Sequence, residues 1–383
     1  MVDEKEVLQE HAQHGVLEVS STLTINDREE LSLAYTPGVA VLARRIAAHP
    51  EDQRVYTVSG KLIAVVTDGS AVLGLGNIGP GAGLPVVEGK SLLYQQLAGV
   101  NAIPLAMEQT DVDKLADTLE EIAPSFAGIH LEDIAAPACF ALEDRLKQHL
   151  SIPVYHDDQE GTAIVTLAGL INAAKVVGKD LADLRVVING VGASGVATGR
   201  LLLAAGIKQL ILVDKDGVVK ADDDRFNEYQ RALARESSLK PEATDLRDAI
   251  TAADVFIGLS VGNVLSVDDV KKMAAKPIIF ALANPEAEIK PETAKEAGAA
   301  VVATGSSQYP NQINNILVFP GLFKGLLESG IKQVTPELEI AVAHALARMV
   351  KRANADLIIP EVLNEQVVPT VCQTVLDFAA KLK

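Results

Sequence analysis

Short runs of consecutive apolar residues alternate with longer amphipathic stretches along almost the whole chain. A run of four to six apolar positions closed by polar or glycine residues reads as a strand buried on both faces. Apolar positions three and four apart read as a helix lying on such a sheet. In the first half this predicts strands at Leu62–Thr67, Ala102–Ala106, Gly128–Leu131 and Ile152–Tyr155, with helical patterns at about 90–99, 110–122 and 137–150. In the second half it predicts strands at Leu184–Asn189, Gln209–Val213, Asp254–Leu259, Pro277–Ala281 and Ala300–Ala303. A helix follows from Pro336 to about Ala353, with Thr335 as N-cap. The last sixty or so residues carry no strand pattern. Alternation of this kind predicts an α/β fold with mostly parallel sheets.

Composition narrows the picture. A chain of 383 residues is long enough for two domains. With 48% hydrophobic and 22% charged residues it is globular rather than disordered. The 34 Lys and Arg against 51 Asp and Glu leave a net charge of -17. Such a chain lacks the basic field that draws nucleic acid or anionic lipid, so neither is expected as a partner. Cys139 and Cys372 stand far apart and suggest neither a disulfide framework nor a zinc site, which fits a reduced, cytoplasmic setting. The N-terminus, MVDEKEVLQEHAQ, is acidic and unlike a signal peptide. No apolar run reaches the ~18–20 residues needed to span a bilayer, because Asp, Lys or Gly breaks each one, so no membrane association is expected.

The strand at Leu184–Asn189 runs straight into Gly190-Val191-Gly192-Ala193-Ser194-Gly195 and a helical pattern to about Ala205. Strand, GxGxxG and helix together form a dinucleotide fingerprint. Gly190 makes the tight turn. Gly192, with Ala193 and Ser194 opening the helix, lets the backbone approach a pyrophosphate at the positive helix end. Gly195 permits close helix–strand packing. Asp214 closes the next strand, where a carboxylate can accept both ribose hydroxyls. The alternative is a plain glycine turn. Asp214 favours NAD, because a 2′-phosphate would meet its charge; Lys215 beside it could pair with that phosphate and keeps NADP open. The chain is therefore divided into a substrate and metal domain (1–157), a Rossmann-type NAD(P)-binding domain (158–316) and C-terminal helices (317–383) that return to the first domain.

Two acidic pairs end successive strands of the first unit, Glu132-Asp133 and Asp157-Asp158. Carboxylates gathered there, without a Cys or paired-His motif, suit a hard divalent ion such as Mg²⁺ or Mn²⁺. Helix capping competes with that reading: Asp157-Asp158-Gln159-Glu160 reads as a capping box for a helix at Gly161–Ala174, and Asp133 could cap the helix after it. Lys90 stands in Glu88-Gly89-Lys90, just ahead of a helical pattern at Ser91–Ala98, and Tyr35 in a turn context. A lysine at a helix start is usually solvated; buried beside acids and a metal it can serve as a base.

Seven segments in matching order resemble malic enzymes: LAYTPGVA at 33–40, VTDGSAVLGLGNIGP at 66–80, EGKSLLYQQLAGV at 88–100, LEDIAAP at 131–137, HDDQEGTA at 156–163, FALANP at 280–285 and YPNQINNILVFPG at 309–321. The resemblance covers roughly residues 31–325 and is to the compact bacterial form. It implies oxidation of L-malate by NAD(P)⁺ and decarboxylation of the resulting oxaloacetate to pyruvate, with Mg²⁺ or Mn²⁺. It implies Glu132, Asp133 and Asp158 as metal ligands, Lys90 and Tyr35 as catalytic acid–base residues, and Asp157 as the residue that orients or neutralises the lysine. Asn284 and Asn315 fall on positions that contact substrate and the nicotinamide end. A homodimer is the assembly it implies.

Three departures from the family pattern stand out. Ser70-Ala71 replaces an acidic residue and an arginine, leaving the partner of the substrate C4 carboxylate unassigned. Ser306-Ser307-Gln308 replaces a more charged stretch, and His130 stands where Asn is expected. An oxaloacetate decarboxylase on the same scaffold is the nearest alternative, and an amino-acid dehydrogenase a more distant one.

Overall fold

The computed structural model describes residues 3–72, 74–239 and 242–382. Two sheets organise it. The first holds β1 (Leu62–Thr67), β2 (Asn101–Ala106), β3 (Gly128–Leu131) and β4 (Val154–His156), in the order β2-β1-β3-β4 and parallel throughout. The second holds β5 (Arg185–Asn189), β6 (Gln209–Asp214), β7 (Gly217–Val218), β8 (Val255–Gly258), β9 (Ile278–Ala281) and β10 (Val301–Thr304), in the order β10-β9-β8-β5-β6-β7. Only β7 runs antiparallel. At two residues it is too short to carry a periodic signal, and the sequence pattern passes over it. Strands β3, β4, β8, β9 and β10 are buried along their whole length, which is why they read as continuous apolar runs. Strand order reverses between β1 and β3 and again between β5 and β8. In such sheets ligands bind beyond the carboxyl ends of the strands at the reversal.

Two expectations need correction. The helix before β2 spans Gly79–Leu93 and continues through a wider turn at Tyr94–Ala98. It begins well ahead of the predicted start near residue 90, so Lys90 lies in its last turns rather than at an exposed beginning. The stretch GPGAGLPVVEGK hides the helix, because four glycines and two prolines argue against one on propensity. Pro80 sits at the tolerated start of the helix, and Gly83 lets the helix lie close against Gly69 after β1. Second, the 21 residues Asp157–Val177 do have the length and apolar composition of a membrane span. Most of them are buried within the protein, in the manner of a central helix. Its regular part, Thr162–Val177, packs between the helices Ala193–Ala204 and Pro336–Met349.

The chain ends in the helices Phe319–Ser329, Pro336–Met349 and Val367–Leu382. Thr335 caps the second by accepting the Leu338 N–H, as its sequence suggested. Phe319 and Phe323 set their rings edge-on against Tyr94, so the first of these helices closes over the first sheet. By contrast, the helices Arg28–Ala34 and Gly38–Ala48 bury no residue. Val19, Leu23, Leu33, Tyr35, Val41 and Val55 are all exposed on this N-terminal stretch.

Asn172 joins the central helix to the C-terminal segment: its buried Nδ2 donates to Ala347 O at 2.8 Å and to Ile358 O at 2.9 Å. Replacing Asn172 by Leu keeps the volume, strips Ile358 O of this donor and leaves Ala347 O the longer bond from the Val350 N–H at 3.3 Å. The expected loss is about 2–4 kcal/mol of unfolding free energy in urea titrations. A loss under about 0.5 kcal/mol would show that the carbonyls find other donors.

Candidate active site

The parallel register aligns the ends of β3 and β4, with Leu131 opposite His156. Glu132-Asp133 and Asp157-Asp158 therefore leave the sheet side by side. Lys90 reaches the same spot from its helix. Its Nζ lies 3.1 Å from Glu132 Oε1, donates to Asp157 Oδ2 and sits 3.3 Å from Asn315 Oδ1. It also stands 4.8 Å above the Phe319 ring. Asp157 is fully buried, and its other oxygen accepts the Tyr155 O–H at 2.6 Å. Gly161 makes this approach feasible: a Cβ there would lie 2.1 Å from Asp157 Oδ1. Burial alone would lower the lysine pKa, but Asp157 and Glu132 outweigh it and hold the ammonium charged. Burial likewise opposes ionisation of Asp157, and Lys90 reverses it, leaving the carboxyl below its usual range. Neither acidic pair acts as the predicted cap. The helix Ala138–His149 has no side-chain cap, and in place of the proposed capping box Glu160 accepts the His156 N–H, one residue before the expected cap.

Glu132, Asp133 and Asp158 each offer a carboxylate oxygen within 4.8 Å of the others. The Asp158 carboxylate accepts the Asp133 N–H at 2.8 Å, and Asp133 takes up a left-handed backbone with φ of 57° to face inward. His130, Glu132 and Asp157 are as close together, but Lys90 and Tyr155 already engage Asp157. Burial, joined for Asp158 by the charge of Glu132, pushes both Glu132 and Asp158 above the usual carboxylate range. One ammonium thus faces four carboxylates, and the surplus negative charge on hard oxygen donors fits a divalent cation such as Mg²⁺ or Mn²⁺.

Across from this cluster lies a cleft of about 630 Å³ lined by Gly190, Gly192, Asp214, Lys215, Gln230 and Ser260, among others. Its size is that of a cofactor pocket. Gly190 has φ of +98°, and a Cβ on Gly195 would lie 2.0 Å from Gly190 O, so both glycines are needed by the turn itself. Gly192 differs: a Cβ there would meet no protein atom within 4 Å. The open space beside Gly192, Ala193 and Ser194 at the start of the helix Ala193–Ala204 fits a pyrophosphate. Asp214 Oδ2 accepts Gln230 Nε2 at 2.6 Å, and the same amide nitrogen donates to Val191 O at 2.9 Å.

The structure thus joins Lys90, Glu132, Asp133, Asp157, Asp158 and Asn315 in one cluster and places the glycine turn and Asp214 in one cleft. Asn284 stands between the two units: it is half-buried, and its backbone oxygen crowds Gly74 of the loop after β1. Tyr35 is not brought in. It is 65% exposed, and no hydrogen bond among the described residues ties its side chain to the cluster. Ser70 does not take the place of a carboxylate clamp: its hydroxyl accepts the Ala135 N–H at 2.8 Å and holds two loops together. Tyr155 and Tyr94 were missed, because a tyrosine inside an apolar run looks like any core residue.

Two sheets with a dinucleotide cleft facing a buried lysine and a set of carboxylates define a two-domain nicotinamide-linked oxidoreductase. The sequence matches the family described as malic enzyme, N-terminal domain, over residues 14–147, and malic enzyme, NAD binding domain, over residues 159–380. It is 47% identical to an NAD-dependent malic enzyme of Geobacillus stearothermophilus over 367 residues, 95% of this chain and 77% of that one. It is 46% identical to a bifunctional malic/malolactic enzyme of Bacillus subtilis over 370 residues, 95% of this chain and 90% of that one. The crystal structure of an NAD-dependent malic enzyme from Thermotoga maritima superposes with a TM-score of 0.93 at 43% identity, covering 98% of this chain and 99% of that chain. The chain belongs to the malic enzyme family.

Two outcomes test this geometry. Gly192→Ala should leave thermal stability unchanged while weakening NAD⁺ binding by about tenfold or more, roughly 1.4 kcal/mol, in calorimetric titration. Unaltered NAD⁺ affinity would place the pyrophosphate elsewhere. Behind the carboxylates, Lys147 bridges Glu143 and Glu160, and the buried Glu339 is pushed up to about 7 by burial and by Glu143, against the pull of Lys147. A carboxyl raised in the folded state binds extra protons there, so its contribution to stability is lost as pH climbs from about 4.5 to 7. Glu339→Gln should therefore gain on the order of 1–3 kcal/mol relative to the parent at the alkaline end of that window and little at the acid end. An equal change at both ends would contradict the assignment.

Proposed function

We propose that this chain catalyses the oxidative decarboxylation of L-malate to pyruvate and CO₂ with reduction of NAD(P)⁺, NAD⁺ being preferred. The observation that carries the reading is the buried Lys90, held against Asp157, Glu132 and Asn315 at the edge of the carboxylate cluster. Glu132, Asp133 and Asp158 would hold Mg²⁺ or Mn²⁺, which when bound supplies a Lewis acid for the substrate oxygens. With a cation's charge beside it, Lys90 would shed its proton and, as the neutral amine, take that of the malate C2 hydroxyl as hydride leaves C2 for the nicotinamide. Asp157, fixed by Tyr155, keeps the lysine pointed at that oxygen. Asn315 orients the substrate beside the lysine, and Asn284, at the junction of the units, serves the substrate and the nicotinamide end. The NAD⁺ preference rests on Asp214, whose carboxylate faces the cleft and would repel a 2′-phosphate.

A homodimer in the cytoplasm completes the reading. The exposed apolar residues from Val19 to Val58 form a surface that a second copy would cover, and Tyr35 lies among them. From there Tyr35 would act as proton donor to C3 after decarboxylation, in the site of the partner subunit. The lyase and amino-acid dehydrogenase alternatives find no support in the relatives matched above.

With L-malate and Mn²⁺, reduced nicotinamide and pyruvate should appear together, faster with NAD⁺ than with NADP⁺. No reduced nicotinamide with either cofactor, alongside loss of oxaloacetate, would favour a decarboxylase. Lys90→Ala should lower turnover by about 10²–10⁴-fold with NAD⁺ affinity within about twofold of the parent. A large loss of NAD⁺ affinity would contradict its role. Mixing inactive Tyr35→Phe and Lys90→Ala proteins should restore activity if the tyrosine acts across the dimer; no gain after subunit exchange would contradict that arrangement.

A further inference from the structure

His130 lies at the centre of the first sheet, fully buried, two residues before Glu132. Its two ring nitrogens are both engaged. Nδ1 is 2.8 Å from the Tyr94 hydroxyl, and Nε2 is 2.7 Å from Glu132 Oε2. One proton arrangement satisfies both contacts. In the ionised form a metal ligand takes, Glu132 only accepts, so Nε2 carries the hydrogen and donates to it. Nδ1 is then bare, and the Tyr94 hydroxyl donates to it. The opposite tautomer would set a bare nitrogen against the carboxylate oxygen. The ring is also locked in place: Tyr155, Phe319 and Tyr94 meet it edge-on, at centroid distances of 5.6, 5.7 and 5.7 Å.

The consequence falls on Glu132. Its Oε2 is committed to an N–H that cannot swing away, and its Oε1 is left on the side of Lys90, at 3.1 Å. We propose that Tyr94 and His130 form a positioning pair that holds Glu132 with one oxygen presented to a divalent cation. The pair rests on the reading of Glu132 as a metal ligand. It gives the imidazole that replaces the expected Asn a task of its own: a longer, rigid donor whose orientation is set from behind by a tyrosine. Hydrogen bonds of this kind to metal ligands alter metal affinity by about 10–100-fold when removed.

The test is Mn²⁺ titration of the substrate-free protein, followed by electron paramagnetic resonance of the free ion. Glu132→Gln comes first. If it leaves Mn²⁺ affinity unchanged, the ligand reading itself fails. If it weakens binding, three further variants decide the positioning role. His130→Phe fills the same space without a donor and should weaken Mn²⁺ binding by about 10–100-fold. His130→Gln keeps an amide donor and should recover most of that loss. Tyr94→Phe removes the hydroxyl that sets the tautomer without disturbing the aromatic packing, and should weaken binding by an intermediate factor, about three- to tenfold. NAD⁺ affinity should stay within about twofold in all of them, which separates loss of positioning from loss of fold. Mn²⁺ affinity in His130→Phe within about twofold of the parent would overturn the proposal, as would His130→Gln binding no better than His130→Phe. Should His130→Phe fail to fold, an unchanged affinity in Tyr94→Phe would overturn it equally.

Discussion

A single buried ammonium sets the conditions for the rest of this molecule. Lys90 is almost out of contact with water, and a charge in that position must be paired and hydrogen-bonded or it destabilises the fold. Its four partners come from three separate parts of the chain: Glu132 after β3, Asp157 after β4, and Asn315 and Phe319 from the segment that follows the second sheet. Satisfying one lysine therefore requires both sheets to be formed and the C-terminal helices to have returned. The small residues along the way are consequences of the same requirement. Gly161 lets Asp157 approach, and Gly83 of the Gly79–Leu93 helix lets that helix lie close to the loop after β1.

The carboxylates exceed what one ammonium can neutralise, and that imbalance links fold to chemistry. The negative charge of the chain as a whole is mostly exposed and solvated. At the ends of β3 and β4 it is concentrated and half-sheltered, where a divalent cation gains most. A dicarboxylate substrate would otherwise be repelled from such a surface. The dinucleotide cleft reaches Ala136, three residues beyond Asp133, which brings it beside the carboxylate cluster.

Much of this was legible in the sequence, for identifiable reasons. Parallel strands buried on both faces leave unmistakable apolar runs, and all nine predicted strands lie within two residues of the observed bounds at either end. The fingerprint at Gly190–Gly195 was readable because Gly190 and Gly195 answer steric demands of the turn itself and Gly192 leaves room for a ligand. The Lys90 helix was not, since Gly and Pro disfavour a helix locally and only tertiary packing against Gly69 restores it. Tyr94 and Tyr155 carried no signal, because a buried hydroxyl acquires meaning only from partners distant in sequence. Tyr35 shows the opposite limit. Its motif was plain, yet a single chain leaves it exposed, away from the cluster it was expected to join.

The most direct test of the central claim is a double-mutant cycle on unfolding free energy, measured in metal-free protein with Lys90→Met, Asp157→Asn and both together. If the buried pair organises the site, Lys90→Met leaves Asp157 without its cation, Asp157→Asn leaves Lys90 with Glu132 alone, and each costs about 3–5 kcal/mol, whereas the double variant loses far less than the sum. The predicted coupling is about 2 kcal/mol or more. Additive losses, within about 0.5 kcal/mol, would show that Lys90 and Asp157 are held in place independently and would contradict the account.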